Sequence, residues 1–268
     1  MKQGLVWDWD KLKQGLADSV TIIVGGARGT GKQAALSLLQ LGGSVAIGDI
    51  NRERLDKTMV EFKAAGHTKA LAVPTDITKP DQVRNLVDQT VKHFGKLDNV
   101  VFAAGAYRAQ KSSLETDLEE WRLIVDSNLT GAFLIDQAAI PHMIKAGGGN
   151  IVHISSNAGR TVSTFLGCHY TAAKSGILGL TRHFAKEFGD KGIRVNSIAP
   201  GGVVGERMTD LITELHREQM LVDIAKNTPL GRNVEERDVV GAILFLLSDL
   251  SGFITGASLD VTGGIYML

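Results

Sequence analysis

Short apolar, β-branched runs recur along the chain at 20–24, 44–48, 70–73, 97–102, 150–154, 193–198 and 257–261. Runs of this length read as buried strands. Between most of them lie segments with a helical repeat of apolar residues, at 31–41, 52–65, 80–94, 118–144, 170–189 and 235–248. Strand and helix in alternation leave few folds open. Each helix carries the chain back across the sheet, so the strands pair in parallel, and right-handed crossovers put helices on both faces. The expectation is an α/β chain with a doubly wound parallel sheet of about seven strands, all within one domain over residues 18–268. No linker, repeat or low-complexity tract divides it. Residues 1–17 fall outside the rhythm and are expected to form an N-terminal extension. Residues 201–227 also fall outside it and read as an insertion of helices placed to act as a substrate lid.

Composition excludes several functions. The 29 basic and 29 acidic side chains of the 268 residues cancel. Such a chain has no surplus charge for a nucleic acid backbone or an anionic membrane surface, so neither is expected as a partner. The apolar run 242–247 is too short to span a bilayer, and the chain start has acids and no apolar signal core. The single cysteine, Cys168, forms no intrachain disulfide and no multi-cysteine metal site, which fits a cytoplasmic protein. The seven histidines show no ligand spacing, and no metal is expected.

Glycine is in excess, with 31 residues, and the excess concentrates where chemistry is expected. Val24-Gly-Gly-Ala-Arg-Gly-Thr-Gly31 follows the first strand and opens the first helix. Glycines there allow a tight turn and bring backbone N–H groups and a helix N-terminus against a pyrophosphate. Read from Gly26, the run is a near miss to a triphosphate loop, but Gln33 stands where a Ser or Thr would hold magnesium. Read as the dinucleotide loop of a Rossmann-type sheet, it calls for an acid after the second strand. Asp49, followed by Ile50, stands there. Its carboxylate suits the ribose hydroxyls of NAD and would repel the 2′-phosphate of NADP, by about 4 kcal/mol per unit pair at roughly 4 Å and an effective dielectric near 20. Arg28 offers the opposite reading, as a partner for that phosphate; it also has the readings of a partner for Asp49 and of a solvated loop residue. Gly25, Gly29, Thr30, Gly31, Asp76, Ile77, Ala103, Ala104 and Gly105 complete the expected adenosine and pyrophosphate contacts at the carboxyl ends of strands.

A second constellation is Tyr170-Thr-Ala-Ala-Lys174, on a helix after Ile154-Ser-Ser-Asn-Ala-Gly159. Residues at i and i+4 share a helix face. A phenol with its ordinary pKa of about 10 is no base at neutral pH, but a neighbouring ammonium stabilises the phenolate. Ser156 is placed to hydrogen-bond the substrate oxygen.

From about Asp18 to Gly264 the chain resembles the short-chain dehydrogenase/reductase family. The resemblance is carried by Gly25, Gly29 and Gly31, by Asp76, by Asn128 in Ser-Asn-Leu-Thr-Gly131, by Ser156, Tyr170 and Lys174, by Pro200-Gly201, and by Ile254-Thr-Gly256 and Asp260-Val-Thr-Gly-Gly264. It implies a general acid/base at Tyr170, with Lys174 assisting it and binding the nicotinamide ribose, Ser156 orienting the substrate oxygen and Asn128 holding a water in the proton relay. It also implies a nicotinamide cofactor, further contacts to it from Pro200, Gly201 and Val203, and a homotetramer. Four positions depart from the family pattern. Val24 stands for a usual Thr, Phe102-Ala103 for a pair of Asn, and Gly205 for a Thr that contacts the carboxamide. The Ser156–Tyr170 spacing is one residue longer than the family's commonest, which keeps Ser155 as an alternative.

The resulting expectation is an NAD-dependent oxidoreductase acting on a small polar or sugar-like secondary alcohol or ketone. An NADP-dependent ketoreductase and a non-catalytic dinucleotide sensor are the alternatives. Tyr107, Arg108, Asn157, Arg160, His169, Glu206 and Arg207 are the expected substrate contacts.

Overall fold

The computed structural model describes residues 15–163, 165–215 and 219–267. The chain begins with β1 (Val20–Val24), α1 (Gly29–Gln40), β2 (Ser44–Asp49), α2 (Arg52–Ala64), β3 (Ala70–Pro74), α3 (Pro80–Phe94) and β4 (Asn99–Phe102). It continues through α4 (Leu118–Val125), α5 (Gly131–Ala146), β5 (Gly149–Ile154), α6 (Cys168–Phe188) and β6 (Ile193–Pro200). The region read as an insertion holds β7 (Val203–Val204), α7 (Glu206–Leu215) and α8 (Gln219–Asn227), and β8 (Val234–Glu235), α9 (Glu236–Leu247) and β9 (Ser258–Val261) close the fold. Seven strands form one sheet in the order β3-β2-β1-β4-β5-β6-β9, with every pairing parallel.

Side chains of a strand alternate between faces. Ile23, Ile47, Val101, Val152 and Ile198 pack with α1, α2 and α9, whereas Ile22, Ala46, Val100, Phe102 and Ile151 pack with α3, α5 and α6. Both faces are covered, which is why the strands read as continuous apolar runs rather than alternating ones. Local signals set the helix ends. The Asn51 side chain accepts from Arg54 N at 2.8 Å to start α2, while Pro80 opens α3 and Gly95 closes it in a left-handed conformation.

One polar set is sealed inside the second face. His153 on β5 lies 2.8 Å from Asp136 of α5 and 2.9 Å from Thr181 of α6. The Thr181 hydroxyl donates to Ile177 O, so it accepts from the ring N–H of His153. The other ring nitrogen and the Asp136 carboxyl then share one proton. Burial pushes that carboxyl above its ordinary range.

Two details differ from the expectations. The single helix expected over 118–144 is interrupted by a π-helical turn at Asp126–Thr130, where the Asn128 amide donates to Ile124 O at 2.9 Å and to Ala106 O at 2.8 Å. Of the expected extension 1–17, residues 1–14 lie outside the described residues, and Leu16 is buried in the core rather than free of it. Among the described residues no helix is long and apolar enough to cross a membrane.

The chain winds outward from β1 to β3 and then returns to place β4 beside β1 on its other side. At that reversal the loops leave the sheet in opposite directions, and a crevice opens at the carboxyl ends of the strands.

Candidate active site

The crevice is a cavity of about 480 Å³. Its first end is made by the loop between β1 and α1. Gly25 N donates to Gly48 O at 2.7 Å, which ties the loop to β2. Gly25 has φ +82°, and a Cβ on it would lie 2.8 Å from Ala104 N at the end of β4. A Cβ on Gly31 would lie 2.2 Å from Gly25 O. No side chain fits at either place, so the backbone itself forms the cradle, and the open N-terminus of α1 faces the cavity. These observations fit a dinucleotide, whose pyrophosphate needs backbone donors at close range.

Every residue expected to bind cofactor lies on the cavity wall: Gly25, Arg28, Gly29, Thr30, Gly31, Asp49, Ile50, Asp76, Ile77, Ala103, Ala104, Gly105, Tyr170, Lys174, Pro200, Gly201 and Val203. Asp49 accepts from Asn51 N at 3.0 Å and from Ala27 N at 3.3 Å, which holds its carboxylate against the glycine loop. Asp76 caps its own turn, accepting from Thr78 N and Oγ1 at 2.9 and 2.7 Å. Arg28 pairs with Asp210 of α7 at 3.0 Å rather than with Asp49, and so links the glycine loop to the inserted helices.

At the other end, Asn128, Ser156, Tyr170 and Lys174 share the same wall. Lys174 is buried, its ammonium 2.9 Å from Ile154 O and 5.5 Å from the centre of the Tyr170 ring. The two serines separate clearly. Ser155 Oγ donates to Lys174 O at 2.8 Å and clamps β5 to α6, whereas Ser156 Oγ accepts from Ala158 N at 3.1 Å and donates to the Asn157 side chain at 3.2 Å. The Ser155 hydroxyl is committed to the backbone, which leaves Ser156 as the hydroxyl able to turn to a substrate.

The expected substrate contacts are not brought together. Among those whose side chains are described, only Tyr107 lies on the wall. Arg160 pairs with Asp260 at 3.0 Å and donates to Ser258 O at 2.8 Å. His169 is wholly buried against Glu120 at 2.9 Å, and Lys111 bonds Glu120 from its other side at 2.6 Å. Those two partners hold the Glu120 carboxyl below its usual range. Arg108 is exposed and donates to Tyr107 O, Asn157 bonds Ser156, and Glu206 is exposed on α7. The Arg207 side chain lies outside the described residues. Arg160 and His169 each find a protein partner, and the cavity wall that carries Tyr170 and Tyr107 also carries the apolar Leu123 of α4, Leu166, and Met208 of α7. Cys168 is exposed at the first position of α6.

A family model described as enoyl-(acyl carrier protein) reductase matches residues 25–266. The chain is 34% identical over 247 residues to the 3-oxoacyl-[acyl-carrier-protein] reductase FabG of Staphylococcus aureus, covering 92% of this chain and 97% of that one. The chain belongs to the short-chain dehydrogenase/reductase family. It is also 37% identical over 251 residues to the cis-4-hydroxycyclohexanecarboxylate dehydrogenase of Sinomonas cyclohexanicum, covering 94% and 98% of the two chains. The solved structure of a 3-oxoacyl-[acyl-carrier protein] reductase with bound NAD from Brucella melitensis superposes with a TM-score of 0.84 at 32% identity, covering 100% and 99%. Family membership makes the protein a nicotinamide-dependent oxidoreductase of alcohols and ketones. It accounts for the glycine loop and the Tyr170–Lys174 helix together.

Proposed function

We propose that the protein is an NAD-dependent dehydrogenase or reductase of secondary alcohols and ketones whose substrate has an apolar body. The observation that carries this is the cavity wall, which holds Leu123, Leu166 and Met208, while Arg108, Asn157, Arg160, His169 and Glu206 lie off it. A sugar-like substrate would leave its hydroxyls unpaired against them, at a cost of about 1–3 kcal/mol each. The relative that acts on a hydroxycyclohexane ring supports an apolar body. Asp49 on the wall, and the NAD in the Brucella structure, support NAD. Arg28 on the same wall favours a second reading, an NADP-dependent ketoreductase.

The nicotinamide, when bound, gives or takes the hydride at the carbon bearing the substrate oxygen. In reduction the Tyr170 hydroxyl gives its proton to that oxygen, and in oxidation the phenolate takes it back. The Lys174 ammonium, 5.5 Å from the centre of the Tyr170 ring, favours the phenolate, and it would hold the nicotinamide ribose of a bound cofactor. Ser156 donates to the substrate oxygen, and Asn128 holds the water through which Tyr170 exchanges its proton. The 201–227 segment closes over the substrate. Exposed Leu118, Phe133 and Ile144 on α4 and α5, and Leu259 on β9, support two interfaces of a homotetramer, and the single cysteine supports a cytoplasmic location. The test is nicotinamide absorbance with a cyclic or aryl ketone against a polyhydroxylated ketone, each with NADH and NADPH. The apolar ketone with NADH is expected to turn over fastest, and preference for the polyhydroxylated ketone would overturn the substrate reading.

A further inference from the structure

An acid stands in the cavity wall where an anion is to bind. Glu236 opens α9, and no motif in the sequence points to it. A Cβ on Gly205 would come within 2.3 Å of Glu236 Oε1, and one on Gly29 within 3.5 Å, so the carboxyl lies between the glycine loop and the start of the inserted helices. Gly29, Thr30 and Gly31 form the first turn of α1, whose N–H groups and positive helix end receive the pyrophosphate. Among the described residues, the charged groups that face Glu236 are Glu206 from α7 and Lys32 from α1. Lys32 is already paired with Glu61, and Arg28 of the same loop with Asp210. On the polar side of α9, Arg237 pairs with Glu235 and Asp238 with Arg232. Burial, and after it the Glu206 charge, push the Glu236 carboxyl above its ordinary range. A carboxylate here and a pyrophosphate in the glycine loop repel each other.

Resting on the dinucleotide reading, we propose that Glu236 takes up a proton when the pyrophosphate enters, so that cofactor binding is coupled to protonation of this side chain and weakens as pH rises. The sign follows from linkage: the bound state holds one more proton than the free state, so affinity falls above the free protein's midpoint, by up to about tenfold per pH unit. Gly205 makes the arrangement possible, since any side chain there would displace Oε1.

The test is NADH binding to the full chain by titration calorimetry between pH 6 and 8.5, in buffers of different ionisation heat. NADH has no 2′-phosphate to titrate. The expected results are a Kd that rises with pH and a buffer-dependent heat reporting proton uptake. In Glu236→Gln the Kd is expected to be flat and, at the top of the range, about tenfold or more lower than in the unchanged protein. Glu206→Gln, which removes the neighbouring charge, is expected to move the midpoint to lower pH. A flat Kd with no proton uptake in the unchanged protein, or the same pH dependence in Glu236→Gln, overturns the proposal while leaving the cofactor reading intact. Absence of NADH and NADPH binding at every pH overturns the cofactor reading, and the proposal with it.

Discussion

The end of the cleft beside β1 and β2 is walled by backbone, and the end beyond Tyr170 is walled by side chains. At the first end, Gly25 and Gly31 let main chain meet main chain, and Asp49 is itself the last residue of β2. At the second, Leu123, Leu166 and Met208 come from α4, a loop and α7, each hung on a different part of the fold. The sheet dictates the first wall, because parallel strands end where they must and a crossover begins there. The second wall is set by segments that no sheet register constrains. Cofactor binding then follows from the architecture, whereas the substrate choice proposed above rests on three segments outside the sheet.

The comparison breaks most visibly at the backbone end. Gly31→Ala forces a Cβ to within 2.2 Å of Gly25 O. Loss of NADH affinity by about 100-fold or more, near 3 kcal/mol, is expected in calorimetry. A thermal melt checks that the sheet survives. Retained affinity would show that the loop can shift and that its backbone is no cradle. A smaller and opposite result is expected at the side-chain end. Leu166→Asp is expected to raise KM for an apolar ketone about tenfold, in line with about 1–3 kcal/mol for an unpaired polar group, with the Kd for NADH unchanged. If both constants move together, the two walls are not independent.

The same contrast explains what could be read from the residues alone. The strand–helix rhythm predicts the sheet, and the glycine loop, Asp49 and Ser156 are legible because each sits where a strand ends, whereas Asn128 and Tyr170-x-x-x-Lys174 lie within helices and are legible only from the order of the motifs along the chain. Arg160 and His169 misled for a physical reason. A charged loop residue looks free in sequence, but Asp260 stands 100 positions from Arg160, and Glu120 lies 49 from His169. Pairing at that range follows only from the fold. Glu236 was hidden for the reverse reason, since a Glu at a helix start reads as a capping acid and only the approach of Gly205 brings it to the cavity. The π-helical turn at Asp126–Thr130 inserts into an unbroken apolar repeat, so periodicity alone could not place it.

The central claim is that Tyr170 moves the proton while the backbone wall holds the cofactor. The most direct test is Tyr170→Phe, with turnover of an accepted ketone followed by nicotinamide absorbance and NADH affinity followed by calorimetry in the same preparation. The account predicts a kcat lower by about 10²–10⁴-fold with the Kd for NADH within about twofold of the unchanged protein. Turnover retained in Tyr170→Phe would contradict it.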